Sequence, residues 1–196
     1  AAAPPQSATT RVDFFAEAKP PSLEAFRQFW LSNDALDAIG PKGRVPPRGA
    51  EGAAMMVLVD DPEPGDKDTL LSGPQGRFVE RILKATGTRL DNVYFASALP
   101  RHTPMADTAA LAANGLDSVL HHHIALAKPQ RILAFGAQLT PFIAQNPSEA
   151  ETSLRKINYN AALPPSLAGE GLDRLIETPP LKARVWRRWM EWSADK

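Results

Sequence analysis

Short apolar runs alternate with amphipathic segments along this chain. Residues 55–59 (MMVLV) form a continuous apolar run that ends in two aspartates and a proline. Residues 93–96 (VYFA) and 131–136 (RILAFG) form similar runs. Short apolar runs bounded by turn residues are typical of strands that are buried on both faces. The pattern therefore predicts three buried strands.

The segments around these strands have helical periodicity. Residues 22–32, 76–85 and 107–127 each repeat apolar side chains at helical spacing. Ser22 is a favoured residue for capping the first helix, and Pro129 ends the third. Since strands that alternate with helices are joined by right-handed crossovers, the pattern predicts an α/β fold with a mainly parallel sheet covered on both faces.

The 19 prolines gather between these elements and divide the chain. We expect residues 1–20 to be a flexible leader and residues 21–196 to be a single domain. Residues 1–10 contain no basic stretch followed by a long apolar run, as a secretory signal would. No apolar run approaches the roughly 18 residues that a membrane span needs. We therefore expect a cytoplasmic protein without membrane attachment.

The residue composition excludes several kinds of functional site. The chain has no cysteine, which excludes disulfides, thiolate-held zinc or iron–sulfur clusters, and cysteine nucleophiles. Lys plus Arg and Asp plus Glu number 22 each, so net charge does not indicate nucleic acid and binding would need a local patch. The run His121-His122-His123 suggests a metal site, but successive helical residues project about 100° apart and cannot converge on one ion. We expect no metal and no cofactor.

Polar residues and a glycine follow the predicted strands. Ligands of open α/β sheets bind at the carboxyl ends of the strands, so the residues that leave each strand are the candidates for a site. They are Asp60, Asp61, Ser97, His102 and Gly136. Two acidic residues at a strand end also serve simply to bind water or cap the next turn, and His102 equally fits an exposed turn histidine.

Several blocks of the sequence recur in a fixed order in a known family. Residues 59–65 read VDDPEPG, 70–76 LLSGPQG, 78–83 FVERIL, 93–104 VYFASALPRHTP, 124–137 IALAKPQRILAFGA and 179–189 PPLKARVWRRW. In order and spacing they resemble the uracil-DNA glycosylase superfamily, specifically its iron–sulfur-cluster branch. That branch has a strand ending in Gly-Glu-Ala-Pro-Gly, then Pro-Phe-Val-Gly-x-x-Gly and a leucine-rich helix. The resemblance implies a three-layer α/β/α fold with a mainly parallel central sheet of about four strands.

The chain departs from the family at the positions that bind the cluster and the base. The branch holds its iron–sulfur cluster with four cysteines, and this chain has none, so the cofactor is absent. By the resemblance, Gly171 replaces the histidine near the base oxygen, Ser97 the asparagine that reads uracil, and Leu71 the stacking aromatic. A serine hydroxyl cannot span the donor and acceptor pair of an amide. Glu170 and Asp173 are nearby candidates to fill the position of the missing histidine.

Two carboxylates remain where the family has its acidic or water-positioning residue. Glycosidic cleavage produces a cationic sugar and an anionic base, which a carboxylate or a polarised water can stabilise. The resemblance therefore assigns Asp61, with Asp60, as the catalytic residues. It assigns Ser97, Leu71 and His102 to base binding.

Contacts to the nucleic-acid backbone are assigned to two further regions. Gly73 and Gly76 begin a predicted helix, whose N–H groups offer a general anion site for a phosphate. Gly171 and Arg174 flank the loop before the last helix. The basic residues between 182 and 188, interleaved with tryptophans, fit a solvated helix face docked on the sheet better than a phosphate-binding face.

Three functions remain open. The preferred hypothesis is a catalytically impaired or inactive member of the glycosylase superfamily, kept as a nucleic-acid-binding or protein-interaction module. The alternative is an active DNA glycosylase that hydrolyses the N-glycosidic bond of uracil or another damaged base, with Asp61 positioning water and Ser97 and His102 contacting the base. The third is a structural partner of a larger assembly without DNA affinity. The candidate partners are thus DNA and another protein.

Overall fold

The computed structural model describes residues 11–36, 43–143 and 163–194, together with the backbone of residues 156–157. Residues 1–10 of the predicted leader lie outside the described residues. Within the described part of the chain, no helix is both long enough and apolar enough to cross a membrane.

A five-stranded sheet forms the centre of the domain. Its strands are β1 Met55–Val59, β2 Val93–Ser97, β3 Ile132–Phe135, β4 Lys156–Ile157 and β5 Ser166–Gly169. The spatial order is β2-β1-β3-β5-β4. The first four of these are parallel, and β4 pairs antiparallel with β5 at the edge. The prediction of a mainly parallel sheet of about four strands is confirmed.

Helices follow most of the strands. They are α1 Leu23–Ser32, α2 Pro74–Ala85, α3 Thr108–Leu111, α4 Asp117–Ala127, α5 Thr140–Ile143, α6 Leu172–Glu177 and α7 Pro179–Ala194. The single helix predicted over residues 107–127 is wrong, because a π-helical turn at Ala112–Leu116 separates α3 from α4. Gly115 has a φ of 113° there, and a side chain at this position would overlap the carbonyl oxygen of Val12.

Helices cover the sheet on both faces. Alternate residues of β1 point to opposite faces, with Met56 and Leu58 on one and Met55, Val57 and Val59 on the other. The first face packs against α1, α4 and α5, and the second against α2, α6 and α7. All five residues of β1 are buried, as expected for a central parallel strand. The three-layer α/β/α architecture is confirmed.

Residues 11–20, the described part of the predicted leader, lie against the α1 and α4 layer. The N–H of Val12 donates a 2.8 Å hydrogen bond to the carbonyl oxygen of Asn114. The carbonyl oxygen of Pro20 lies 2.7 Å from Nε2 of His122. Phe15 is partly buried against the same core. These contacts attach the segment to the domain.

Candidate functional site

The carboxyl ends of β1 and β3 form the point at which the strand order reverses. The chain passes from β1 outward to β2, then crosses back to β3 and continues to β5 on the other side. In open α/β sheets this reversal leaves a crevice where ligands bind. Asp60 follows β1 and Gly136 follows β3, so both residues lie at this point.

The carboxyl group of Asp60 packs directly on Gly136. A side chain at residue 136, where φ is 147°, would overlap both carboxyl oxygens of Asp60. Oδ1 of Asp60 is buried and has no hydrogen-bond partner among the described residues. Burial, and then the negative charge of Asp61, raise the pKa of Asp60 to about 7. Near neutral pH this carboxyl group is therefore divided between its protonated and ionised forms.

Asp61 is paired with His102 from the loop after β2. Its Oδ2 lies 2.9 Å from Nδ1 of His102 and accepts a 2.8 Å hydrogen bond from the N–H of Thr103. The same Nδ1 lies 3.0 Å from the carbonyl oxygen of Pro62. Because both neighbours of Nδ1 are acceptors, Nδ1 carries a hydrogen. Nε2 is then the ring nitrogen left to contact a ligand.

The start of α6 brings a third carboxylate to this edge. Oδ1 of Asp173 accepts a 2.7 Å hydrogen bond from Nε2 of Gln75, which lies in the first turn of α2. Burial is the largest influence on Asp61 and raises its pKa, and the charge of Asp173 acts in the same direction. The hydrogen bonds from Thr103 and His102 oppose this rise. We call the group Asp60, Asp61, His102 and Asp173 the acidic edge.

Two residues predicted to bind a base are engaged elsewhere. The side chain of Ser97 is only 2% exposed, and its hydroxyl donates a 2.8 Å hydrogen bond to the carbonyl oxygen of Leu99. Leu71 is 3% exposed and packs in the core between the sheet and α2. Neither side chain is therefore available to contact a ligand at the acidic edge. Their assignment to base binding stays a prediction.

An internal carboxylate binds the helix N-terminus that the sequence assigned to a phosphate. Glu63 is 5% exposed and accepts hydrogen bonds of 3.0–3.1 Å from the N–H groups of Gly73, Gln75 and Gly76. A side chain at residue 76 would overlap the carbonyl of Leu71, so only glycine fits this close approach. The N–H groups at the start of α2 therefore bind the carboxylate of the chain's own glutamate, and the assignment of Gly73 and Gly76 to a phosphate stays a prediction.

Asp66 fixes the loop that carries this glutamate. The buried carboxylate accepts a 3.0 Å hydrogen bond from the N–H of Glu63 and a 2.7 Å bond from that of Leu71. Ser72 donates to it from both its N–H and its hydroxyl. These bonds hold Leu71 at a φ of 56°, which a branched side chain rarely adopts. Hydrogen bonds to Asp66 therefore fix the conformation of the loop between β1 and α2.

The other two positions assigned to a nucleic-acid backbone lie at α6. Gly171 caps α6 with extended backbone, and the space where a side chain would stand is open. Arg174 is exposed and lies 3.2 Å from Glu170, which also binds Arg184 at 2.9 Å. Glu170 therefore offsets part of the positive charge here. The phosphate assignment of Gly171 and Arg174 stays a prediction.

The three consecutive histidines of α4 have three separate partners. Nε2 of each ring makes a contact of 2.7–2.9 Å: His121 with the carbonyl oxygen of Phe142, His122 with that of Pro20, and His123 with the hydroxyl of Tyr94. Across the residues that the structure describes, no three potential metal ligands are grouped around a common point.

Some residues of the site were not predicted from the sequence. Gln75 and Thr103 position Asp173 and Asp61, and Glu63 closes the start of α2. The sequence contains no local signal for Glu63, because this glutamate stands ten positions before the helix start that it binds and only the fold brings the two together. No model of a known protein family matches this chain, and no curated protein matches it.

Proposed function

We propose that this protein is a catalytically inactive relative of the uracil-DNA glycosylases that serves as a protein-interaction module. The proposal rests on one observation. Three of the groups expected to read a base or hold its phosphate are bonded or packed inside the domain: the hydroxyl of Ser97, the side chain of Leu71 and the start of α2. A glycosylase needs those groups free, because it binds an extruded base in a fitted pocket.

The internal bonds of these groups support the loss of base binding. The hydroxyl of Ser97 is used by a backbone carbonyl, and Leu71 belongs to the core. Gly171 has no side chain to polarise the base oxygen. At positions 97 and 71 a base would meet neither an amide pair nor an aromatic face, and such groups supply much of the recognition of a flipped base.

The charge of the acidic edge favours a protein partner over nucleic acid. Asp60, Asp61 and Asp173 bring three carboxyl groups together, and binding to the phosphate backbone depends on neutralising its negative charge with cations. Met105 lies three residues after His102, in the same loop, and is 96% exposed. Exposed methionines serve as adaptable apolar contacts at binding surfaces. This combination fits a partner segment that is basic and carries an apolar residue.

Base release and binding, measured on the same preparation, test the proposal. We expect no release above background from single-stranded and duplex oligonucleotides that contain uracil, hypoxanthine or other damaged bases. We also expect no gel shift of these oligonucleotides at low salt. Robust release of any base from the panel would refute the proposal.

A pair of peptides tests the protein-binding part. A short arginine-rich peptide with a central leucine should raise fluorescence anisotropy on binding, and a glutamate-rich peptide of equal length should not. Asp173→Asn and Met105→Ser should each weaken binding, whereas Asp68→Asn, at an exposed aspartate of the β1–α2 loop, should not. Equal binding of both peptides would contradict the proposal that the acidic edge binds a basic protein segment.

A second candidate, an active DNA glycosylase, is favoured by the Asp61–His102 pair. An ionised Asp61 oriented by His102 can accept a hydrogen bond from a water molecule poised to attack C1′ of the sugar. In such a reaction the hydroxyl of water bonds to C1′, the glycosidic electron pair leaves with the base, and the proton of water is transferred to solvent or base. Asp61→Asn should then abolish base release, whereas Asp68→Asn should retain it. An unchanged rate in Asp61→Asn would remove this candidate.

A further inference from the structure

An apolar cavity of about 320 Å³ lies beneath α7 and shares no residue with the acidic edge. Its walls come from the sheet through Leu133, from α2 through Phe78 and Ile82, and from α6 through Leu175. Trp186 and Trp189 of α7 complete the walls. Lys182 is the one charged residue among those that line it.

The cavity has the size and chemistry of a small-molecule site. Such sites span roughly 300–1,000 Å³ and are lined by apolar and aromatic side chains with a few polar groups. The cavity is partly open to solvent, and Trp186, which lines it, is 42% exposed. Trp189 and Trp192, in contrast, are buried against the sheet.

One cation lines this apolar space and a second lies beside it. The ammonium of Lys182 lies 5.6 Å from the centre of the Phe78 ring, so the cation stands at the aromatic wall. A smaller gap beside Leu133 and Val185 reaches Arg188, and both of these apolar residues also line the main cavity. Nη1 of Arg188 is buried and makes no hydrogen bond with the described residues. An occupant with one anionic group and an apolar body matches both features.

We propose that this cavity binds a single-chain anionic amphiphile, with its hydrocarbon chain among Phe78, Leu133, Trp186 and Trp189 and its carboxylate on the ammonium of Lys182. The tail removes apolar surface from water, which is the main driving force of such binding. The charge-assisted hydrogen bond to Lys182 selects the head group. This site is independent of the proposed function, because it uses a different set of residues.

Titration calorimetry with three ten-carbon probes, each below its micelle concentration, tests the proposal. Decanoate should bind saturably with one site per chain and a negative heat-capacity change. Decanol should bind more weakly, and decyltrimethylammonium weakest. Equal binding of decanoate and decyltrimethylammonium would overturn the role of the head group, and the absence of saturable decanoate binding would overturn the site.

Two variants with the same charge change test whether decanoate binds in this cavity. Lys182→Glu should weaken decanoate binding about tenfold, the effect expected for one charge-assisted contact, while leaving decanol binding unchanged. Arg187→Glu makes the same charge change on α7 at an exposed residue that does not line the cavity, and it should leave both affinities unchanged.

A second variant separates the site from an effect on folding. Ala183→Phe places a ring where Ala183 lines the cavity and should abolish the binding of both decanoate and decanol with the far-ultraviolet circular dichroism unchanged. Decanoate binding that survives Ala183→Phe, or equal losses in Lys182→Glu and Arg187→Glu, would place the amphiphile elsewhere. Binding of an apolar partner helix without binding of decanoate would also refute the proposal.

Discussion

The carboxyl group of Asp60 occupies the space that Gly136 leaves by having no side chain. The two residues follow neighbouring parallel strands, β1 and β3, at the point where the strand order reverses. The absence of a Cβ atom thus lets an ionisable group lie between the strand ends, where its pKa is raised to about 7. Gly136 thus makes room for this carboxyl group, and burial together with the charge of Asp61 raises its pKa.

Gly136→Ala should destabilise the domain by about 2–3 kcal/mol or more, since the new methyl group meets Asp60 and the φ of 147° strains any other residue. Urea unfolding followed by tryptophan fluorescence measures the change. Gly171→Ala is the control, because that position has open space and a φ of −58°. Loss of a favoured capping residue and the lower entropy of the unfolded chain act in opposite directions there, so the unfolding free energy should change by less than about 1 kcal/mol. Similar losses in both variants would contradict the packing described for Asp60.

The raised pKa of Asp60 predicts that stability falls as pH rises. The folded state binds this proton more tightly than the unfolded state, whose pKa stays near 3.8. The stabilising contribution is therefore fully present below about pH 4 and is lost as pH rises through about 7. It amounts to on the order of 4 kcal/mol.

Asp60→Asn isolates this contribution, because an amide does not titrate. Between pH 5 and pH 8 the wild type should lose about 2–3 kcal/mol more unfolding free energy than the variant. Asp68→Asn should follow the wild type. If the wild type and Asp60→Asn have parallel pH profiles, the carboxyl group is not buried as described.

The strands were predictable because burial on both faces leaves a local signal. The run at residues 55–59 has no polar member, and a parallel central strand needs none. β5, Ser166–Gly169, has no such signal, since Leu167 is its only large apolar residue and its second half is only partly buried. The kink at Gly115 was also missed, because its cause is a contact with Val12, about a hundred residues away in the sequence.

The candidate site was predictable only in its location. The rule that ligands bind at strand ends selected Asp60, Asp61 and His102, and the structure brings these three together. The partners of individual polar groups were not predictable. Glu63 stands in a loop rich in proline and glycine and resembles a solvated acid, but tertiary contacts place it under α2.

Glu63→Ala should cost about 3 kcal/mol, because three N–H groups at the start of α2 lose their acceptor. The variant also opens a helix N-terminus to external anions. Sulfate should therefore stabilise Glu63→Ala more than it stabilises the wild type, in urea unfolding at matched ionic strength. Glu80→Ala, at an exposed position of α2, should respond to sulfate as the wild type does. An equal response in all three proteins would show that the start of α2 does not select an anion.

His123 predicts a pH effect of the opposite sign. Complete burial is the main reason that its pKa is lowered from 6.5 to about 3, and the nearby charges of Arg27 and His122 act in the same direction. Its imidazole is therefore neutral in the folded protein at pH 5. The unfolded chain takes up this proton below pH 6.5, so the stability that the neutral ring contributes is lost as pH falls from there toward 3.

Nuclear magnetic resonance of the histidine rings checks this expectation directly. The Cε1 signal of His123 should not shift between pH 7.5 and pH 5 in the folded protein. Tyr94→Phe removes the hydroxyl that lies 2.8 Å from Nε2 and should cost about 1–2 kcal/mol, because a buried ring nitrogen loses its partner. The His123 signal should still not titrate in this variant, since burial rather than the hydrogen bond keeps the ring neutral. A transition with a midpoint near pH 6 in either protein would mean that water reaches the ring, and the core between α1, α4 and β2 would then be less closed than the structure describes.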